Sequence, residues 1–190
     1  MADWKGGILT TKGKALAAKV EAGTCKLTLT KLKVGDGSPT ELEALTDLAS
    51  PKQNIGISNI VASDDGTCDV EGVLTNEDLT SGYYLRELGL FATDPDDGEI
   101  LYAVTTDNNP DYLQANSSAT ALSMAIHMTI VITSADSVAA VLNPAGLLTQ
   151  KDLAAHNVAT DAHDNKYILT ATANQPSEMM DNGTWVEVLE

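Results

Sequence analysis

Arginine occurs once in the 190 residues, as Arg86, and the basic side chains together number 11 against 27 acidic ones, a formal net charge of -16. Phosphate backbones bind proteins by exchanging counterions for lysine and arginine, so a chain with a pI near 4.3 is a poor partner for nucleic acid or an anionic membrane. Cysteine is almost as scarce. Cys25 and Cys68 are too few for a disulfide framework and lack metal-type spacing, although a single bridge between them stays open. The first residues, Met1 to Gly7, show no cationic patch followed by an apolar run, so no secretory signal is expected and the chain is read as released into the cytoplasm of the cell that makes it. Residues 112–135 carry no Asp, Glu, Lys or Arg, yet Ser, Thr and His interrupt them and the apolar positions recur at period 2. That predicts a strand and no membrane insertion.

With 43% hydrophobic residues the chain can bury a core at this length, as one domain with a short addition. Charge is uneven: residues 1–35 carry a net +5 and residues 36–115 a net -15. The lysine-rich segment could fold back on the acidic one, meet a neighbouring copy's acidic surface, or simply be solvated. Thr10-Thr11 offers an N-cap for a helix over Lys12 to Ala22, with Gly23 at its end. Leu27, Leu29, Leu32 and Val34 alternate with a phase flip near Thr30-Lys31, which predicts a bulged strand. After the Gly35-Asp36-Gly37 turn, Ser38-Pro39-Thr40-Glu41 looks like a helix start, with Leu42, Leu45 and Leu48 lining one side of the helix. Strands follow: a hairpin about Asp64-Asp65-Gly66, a run from Tyr83 to Phe91, another from Glu99 to Thr105, and one with Leu122, Met124, Ile126, Met128, Ile130 and Ile132 on its core face and His127 opposite. The fold class expected is α+β: a mostly antiparallel β sheet or sandwich preceded by one or two short helices, with a short C-terminal extension. Residues 1–146 form the main domain, 147–166 a short helix and polar linker, and 167–190 a small module needing outside support.

Catalytic chemistry is not nominated. There is no Gly-x-Ser-x-Gly elbow and no phosphate loop, so no enzyme activity, cofactor or metal is expected. The acids of Asp64-Asp65 and Asp94-Asp96-Asp97 sit in turns, where solvated hairpins are usual and a surface calcium site is the alternative. His156 and His163 are exposed linker residues, or in a trimer one per chain could meet on the axis and take a transition metal. Arg86 and Glu87 are the candidate interface or pairing residues. In a continuous Tyr83 to Phe91 strand Arg86 shares a face with Tyr84, Leu88 and Leu90, while Glu87 points the other way with Leu85 and Phe91. Arginine at one position, against lysine at ten, points to a planar guanidinium holding a carboxylate bidentately or stacking on a ring, with an edge-strand charge as the alternative.

Three segments carry a resemblance: Leu9-Thr10-Thr11-Lys12-Gly13-Lys14-Ala15-Leu16, then Leu32-Lys33-Val34-Gly35-Asp36-Gly37, then Leu85-Arg86-Glu87-Leu88-Gly89-Leu90-Phe91. In that order they resemble the N-terminal domain of the phage tail-collar fibre family of contractile phages and phage-tail-like particles, over residues 5 to 146. The stretch around His156 and His163 also looks like the linkers that follow such domains. The resemblance implies a structural virion protein, a tail fibre or fibre adaptor attached to the baseplate or tail tip, as a trimer, in contact with baseplate proteins and a distal fibre protein. Relatives commonly continue into long receptor-binding shafts, so a chain stopping at Glu190 is expected to be an adaptor or short fibre. The other reading from the residues is a carbohydrate-binding β module that uses Trp4, Trp185 or the tyrosines as stacking platforms for host-surface recognition.

Overall fold

The computed structural model describes residues 4, 6–63, 66–116, 122–132 and 137–143. The chain divides into two units, Met1–Leu147 and Leu148–Glu190, and all described residues belong to the first. His156, His163, Trp185, the expected 147–166 linker and the 167–190 module lie outside the described residues.

Helix α1 (Thr11–Glu21) is bounded at both ends by its own sequence. The Thr10 hydroxyl accepts the Gly13 amide at 2.9 Å, satisfying one of the orphan donors of the first turn. At the other end Thr24 N donates to the Lys19 carbonyl and Gly23 N to that of Val20, with Gly23 at φ +71°, which is a Schellman closure. Leu16 faces the core and is fully buried.

The strands are β1 (Ile8–Leu9), β2 (Leu27–Gly35), β3 (Pro51–Ala62), β4 (Thr67–Thr75), β5 (Tyr83–Tyr84), β6 (Glu87–Asp94), β7 (Gly98–Thr106), β8 (Tyr112–Leu113), β9 (Ser123–Val131) and β10 (Val138–Ala140). The main sheet runs β1-β7-β6-β2-β3-β4-β9, with every neighbouring pair antiparallel. Register shifts interrupt it at four places, and two of these mark where strands bend or change partner. The β2–β6 register shifts between Leu29 and Lys31, at the phase flip expected from the sequence. Strand β3 pairs with β2 only from Gly56 back to Pro51, then turns away to β4 after a second shift between Ile57 and Asn59. Strand β10 fills the edge of β2 that β3 leaves, pairing in parallel with Leu27 to Leu29. The two ends of the sheet meet across a cleft lined by Gly7, Leu9 and Ala103 on one side and Met128 to Val131 on the other. The sheet therefore wraps one core, in which Ile126, Met128 and Ile130 join Leu16, Leu32, Val34, Ile57, Leu90 and Tyr102.

Two expected elements are corrected. The helix after Ser38-Pro39 is a single 3-10 turn, Leu42–Ala44, whose preceding residue Glu41 makes no side-chain cap. A helix this short is marginal in water, and tertiary contacts decide the segment instead. Leu42, Leu45 and Leu48 still reach apolar partners, packing from a loop on Phe91, Leu101 and Val104. The run from Tyr83 to Phe91 is not one strand. It breaks at Leu85-Arg86 because the chain changes partners there: Tyr83 and Tyr84 pair with Leu113 and Tyr112, whereas Glu87 onward pairs with β2 and β7. Leu122, just before β9, and Met124 on it are exposed by 38% and 37%, so the core face begins at Ile126.

The basic segment folds back within its own chain. Lys12 pairs with Asp97, Lys14 with Glu43, Lys19 with Asp94 and Asp96, Lys31 with Glu99, and Lys33 with Asp47. Asp94 also accepts the amides of Asp96 and Asp97, so its oxygens hold the β6–β7 turn together. Cys25 and Cys68 are both free.

Candidate functional site at Arg86 and Glu87

Glu87 begins β6 and is fully buried. A buried carboxylate is costly unless hydrogen bonds replace its water, and here backbone amides do so. Its Oε1 accepts the amides of Gly37 and Ser50 at 3.0 and 2.7 Å, and its Oε2 accepts that of Ala49 at 3.0 Å. One side chain thus ties together the turn after β2 and the entry to β3. The glycines of the Gly-Asp-Gly turn are required by this approach. A Cβ at Gly35 would lie 2.5 Å from the Ser50 carbonyl oxygen and 2.6 Å from Glu87 Oε1, and one at Gly37 would lie 2.5 Å from the same carboxylate oxygen.

Arg86 is half-buried and lies on the other side of this connection. Its amide donates to the Gly35 carbonyl at 3.0 Å, and its carbonyl accepts the Asp107 amide at 2.9 Å. The guanidinium sits 5.0 Å from the centre of the Tyr84 ring, and Nη1 donates to the Asp36 carbonyl at 3.4 Å. No described carboxylate lies within ion-pair distance of it; the Asp36 side chain pairs with Lys52 at 3.2 Å. A hydrogen bond from the Ser50 side chain, followed by Lys52 and Arg86, holds the Asp36 carboxyl below the usual carboxylate range. Burial, then the nearby Asp36 charge, pushes the Tyr83 phenol above its ordinary value, and that phenol donates to Gln53 at 2.7 Å.

The first motif is also used in packing. Thr10 donates from its hydroxyl to the Leu101 carbonyl and from its amide to the Tyr102 carbonyl. Gly13 lets α1 press on β7 so closely that a Cβ there would lie 1.9 Å from the Tyr102 carbonyl oxygen. The sequence singled out Arg86 and Glu87 together, and the structure separates them: Glu87 serves loop amides, and Arg86 faces Tyr84 and a polar cleft. What sequence reasoning missed was the acceptor role of Glu87. The signal for it was the small-residue pair flanking Asp36, read at first only as a turn.

Among the described residues no group of three metal-ligating side chains is present, and no helix is long and apolar enough to cross a membrane. The arrangement is a β domain whose motif residues are bound up in its own folding. A family model described as phage tail-collar fibre protein, N-terminal, matches residues 1–152. The chain belongs to the phage tail-collar fibre family and is a structural protein of a phage tail. No curated protein and no solved structure matches it.

Proposed function

We propose that this chain is a tail fibre or fibre adaptor that attaches to the baseplate or tail tip of a contractile particle as a homotrimer. Residues 1–146 form the attachment domain, 147–166 a linker and 167–190 a distal module that contacts the next fibre protein. The observation that carries the reading is the family match across residues 1–152, which includes all three motifs. The ion pairs of the basic segment are intramolecular, so charge separation gives no support to subunit pairing. Exposed aliphatic side chains support association instead: Val61, Val131, Val141 and Leu142 are 48–81% exposed and would gain from cover by neighbouring copies.

The test has two parts. Antibody labelling of purified particles in electron microscopy should place the chain at the baseplate or tail tip, and label found only on the capsid or sheath would refute attachment. Light scattering of the purified chain should give a mass three times the 19.9 kDa protomer. A protomer mass persisting at concentrations well above micromolar would refute the trimer.

A further inference from the structure

Strand β9 ends the main sheet, and its outer edge is bare among the described residues. Its two ends show which backbone groups face that edge. Asn76 N donates to the Leu122 carbonyl and Ile132 N to that of Gly66, so the even-numbered residues bond to β4. Ser123, Ala125, His127, Thr129 and Val131 therefore turn their amides and carbonyls to the open side, and all five residues are exposed. Proteins usually blunt such an edge with a charged side chain, a proline, a bulge or a very short strand. Strand β9 uses none of these. Its nine residues include no Pro, Asp, Glu, Lys or Arg, and they pair with β4 from Thr67 opposite Val131 to Thr75 opposite Ser123 without a register shift. Elsewhere the chain covers its edges, with β10 laid along β2 and the Thr10 amide bonded to the Tyr102 carbonyl of β7.

We propose that this edge takes an extended segment of a partner protein as an added antiparallel strand, with small aliphatic side chains on its inward face and lysine or arginine on its outward face. Main-chain hydrogen bonds supply the affinity, and the alternate side chains select the partner. Inward, the added strand meets the cleft between Gly7, Leu9 and Ala103 on one side and Met128 and Ile130 on the other. The Gly7 wall is low, since nothing stands within 4 Å of where a Cβ there would lie, and the cleft of 200 Å³ suits small apolar groups. Outward, the added strand flanks Ala125, His127 and Thr129, and beyond them Glu71 and Asp69 stand on β4 opposite His127 and Thr129. Neighbouring strands lie about 4.8 Å apart, so a lysine or arginine side chain reaches across β9 toward those carboxylates. Its charge complements a chain of net charge -16. A second copy lacks this match. In the antiparallel pair that opposes all nine residues, His127 meets His127, and the incoming strand carries neither lysine nor arginine. Strand addition is independent of where the chain sits in the particle.

The experiment titrates the full chain into a fluorescently labelled peptide, as long as β9, that alternates valine and lysine, with anisotropy as the readout. Binding should saturate with a dissociation constant of about millimolar or tighter. Amide exchange at Ala125, His127 and Thr129, fast in the free chain, should slow on saturation. The same peptide N-methylated at every lysine cannot donate to the edge, and one with glutamate for lysine opposes the acids of β4; each should bind about tenfold more weakly. His127→Pro removes an amide that faces away from β4, so it should keep the sheet and weaken binding by about tenfold. Ala125→Lys sets a charge on the edge and should weaken binding similarly with the backbone untouched. No saturable binding, equal binding of either altered peptide, or unchanged binding in both variants would each overturn the proposal. So would a fall in the mass of the free chain in either variant by light scattering, which assigns the edge to a second copy. Circular dichroism matching the wild type in Ala125→Lys keeps a loss of binding from being a loss of fold. Baseplate attachment is read separately by the particle labelling above.

Discussion

Removing the Glu87 carboxylate should loosen the Gly37 and Ala49-Ser50 segments together, because one side chain satisfies all three amides. A hydrogen bond to a charged acceptor contributes about 1.5–3 kcal/mol, while a buried donor left without a partner costs about 1–3 kcal/mol. In Glu87→Gln the amide oxygen can replace Oε1 toward Gly37 and Ser50. Its NH2 then faces the Ala49 amide, donor against donor, at the 3.0 Å now spanned by a hydrogen bond. That variant should lose about 1–3 kcal/mol. Glu87→Ala leaves all three amides bare at a fully buried position and should lose about 3–5 kcal/mol, the usual cost of breaking a buried charged interaction by removing one partner. Against a total stability of about 5–15 kcal/mol, the alanine variant is compromised and the glutamine variant measurably weakened. Urea unfolding followed by circular dichroism should show the glutamine midpoint falling by about 1 M with its slope unchanged. Hydrogen exchange at Gly37, Ala49 and Ser50 should quicken in the same variant while α1 amides keep their protection. Superimposable curves for wild type and both variants would refute the claim that this carboxylate holds the two segments.

Gly13→Ala would ordinarily gain about 1 kcal/mol of helix propensity, but its Cβ would lie 1.9 Å from the Tyr102 carbonyl oxygen. The variant should therefore unfold earlier, by about 1–3 kcal/mol in denaturant titration. Asp94 is held below its usual range by the hydrogen bond from Lys19, and Glu99 by the one from Lys31. A carboxylate with a depressed folded pKa lends stability above its unfolded value and loses it as pH falls through the folded one, so urea midpoints should drop as pH falls below about 4. Asp94→Asn should make that drop shallower. Arg86→Lys should cost less than about 1 kcal/mol, since the guanidinium stacks on a half-exposed ring and holds no carboxylate; a loss several times larger in thermal melts would show a pairing partner. A chain truncated after Gly146 should stay soluble and sheet-rich by circular dichroism, and an unfolded fragment would show that the core extends past that boundary.

The sequence was most readable where a local pattern and the tertiary demand agree. Helix α1 carries its cap, its apolar face and its stop within Thr10 to Thr24, all made by residues close in the chain. The bend in β2 was visible because a bulge reverses side-chain parity, and parity is what alternation records. The two failures have the opposite character. Ser38 to Leu48 has a helical spacing of leucines, but the charge partners of Glu43 and Asp47 and the amide acceptor for Ala49 come from α1, β2 and β6. Tyr83 to Phe91 alternates like one strand because both halves are strands, and nothing local marks the change of partner from β8 to β2. Parallel pairing of β10 with β2 was equally hidden, since it joins residues more than a hundred positions apart.

The same distinction decides what the motifs mean. Thr10, Gly13 and Leu16 of the first, Leu32, Val34 and Gly35 of the second, and Glu87 to Phe91 of the third are all buried. They seat a helix on a strand, let a turn approach a carboxylate and fill the core. Residues used up in this way identify the fold to a family model but are not available to touch a partner. Arg86 is the member of the third motif that is not sealed in: its backbone is tied to Gly35 and Asp107, whereas its guanidinium reaches Tyr84 and the polar cleft. Substitutions at the buried set should therefore act through stability, with binding and assembly falling in step with folded fraction. Substitutions at Tyr84, Arg86 and Tyr112 should leave the folded fraction nearly intact, and any loss of binding or assembly in them reports on the surface itself.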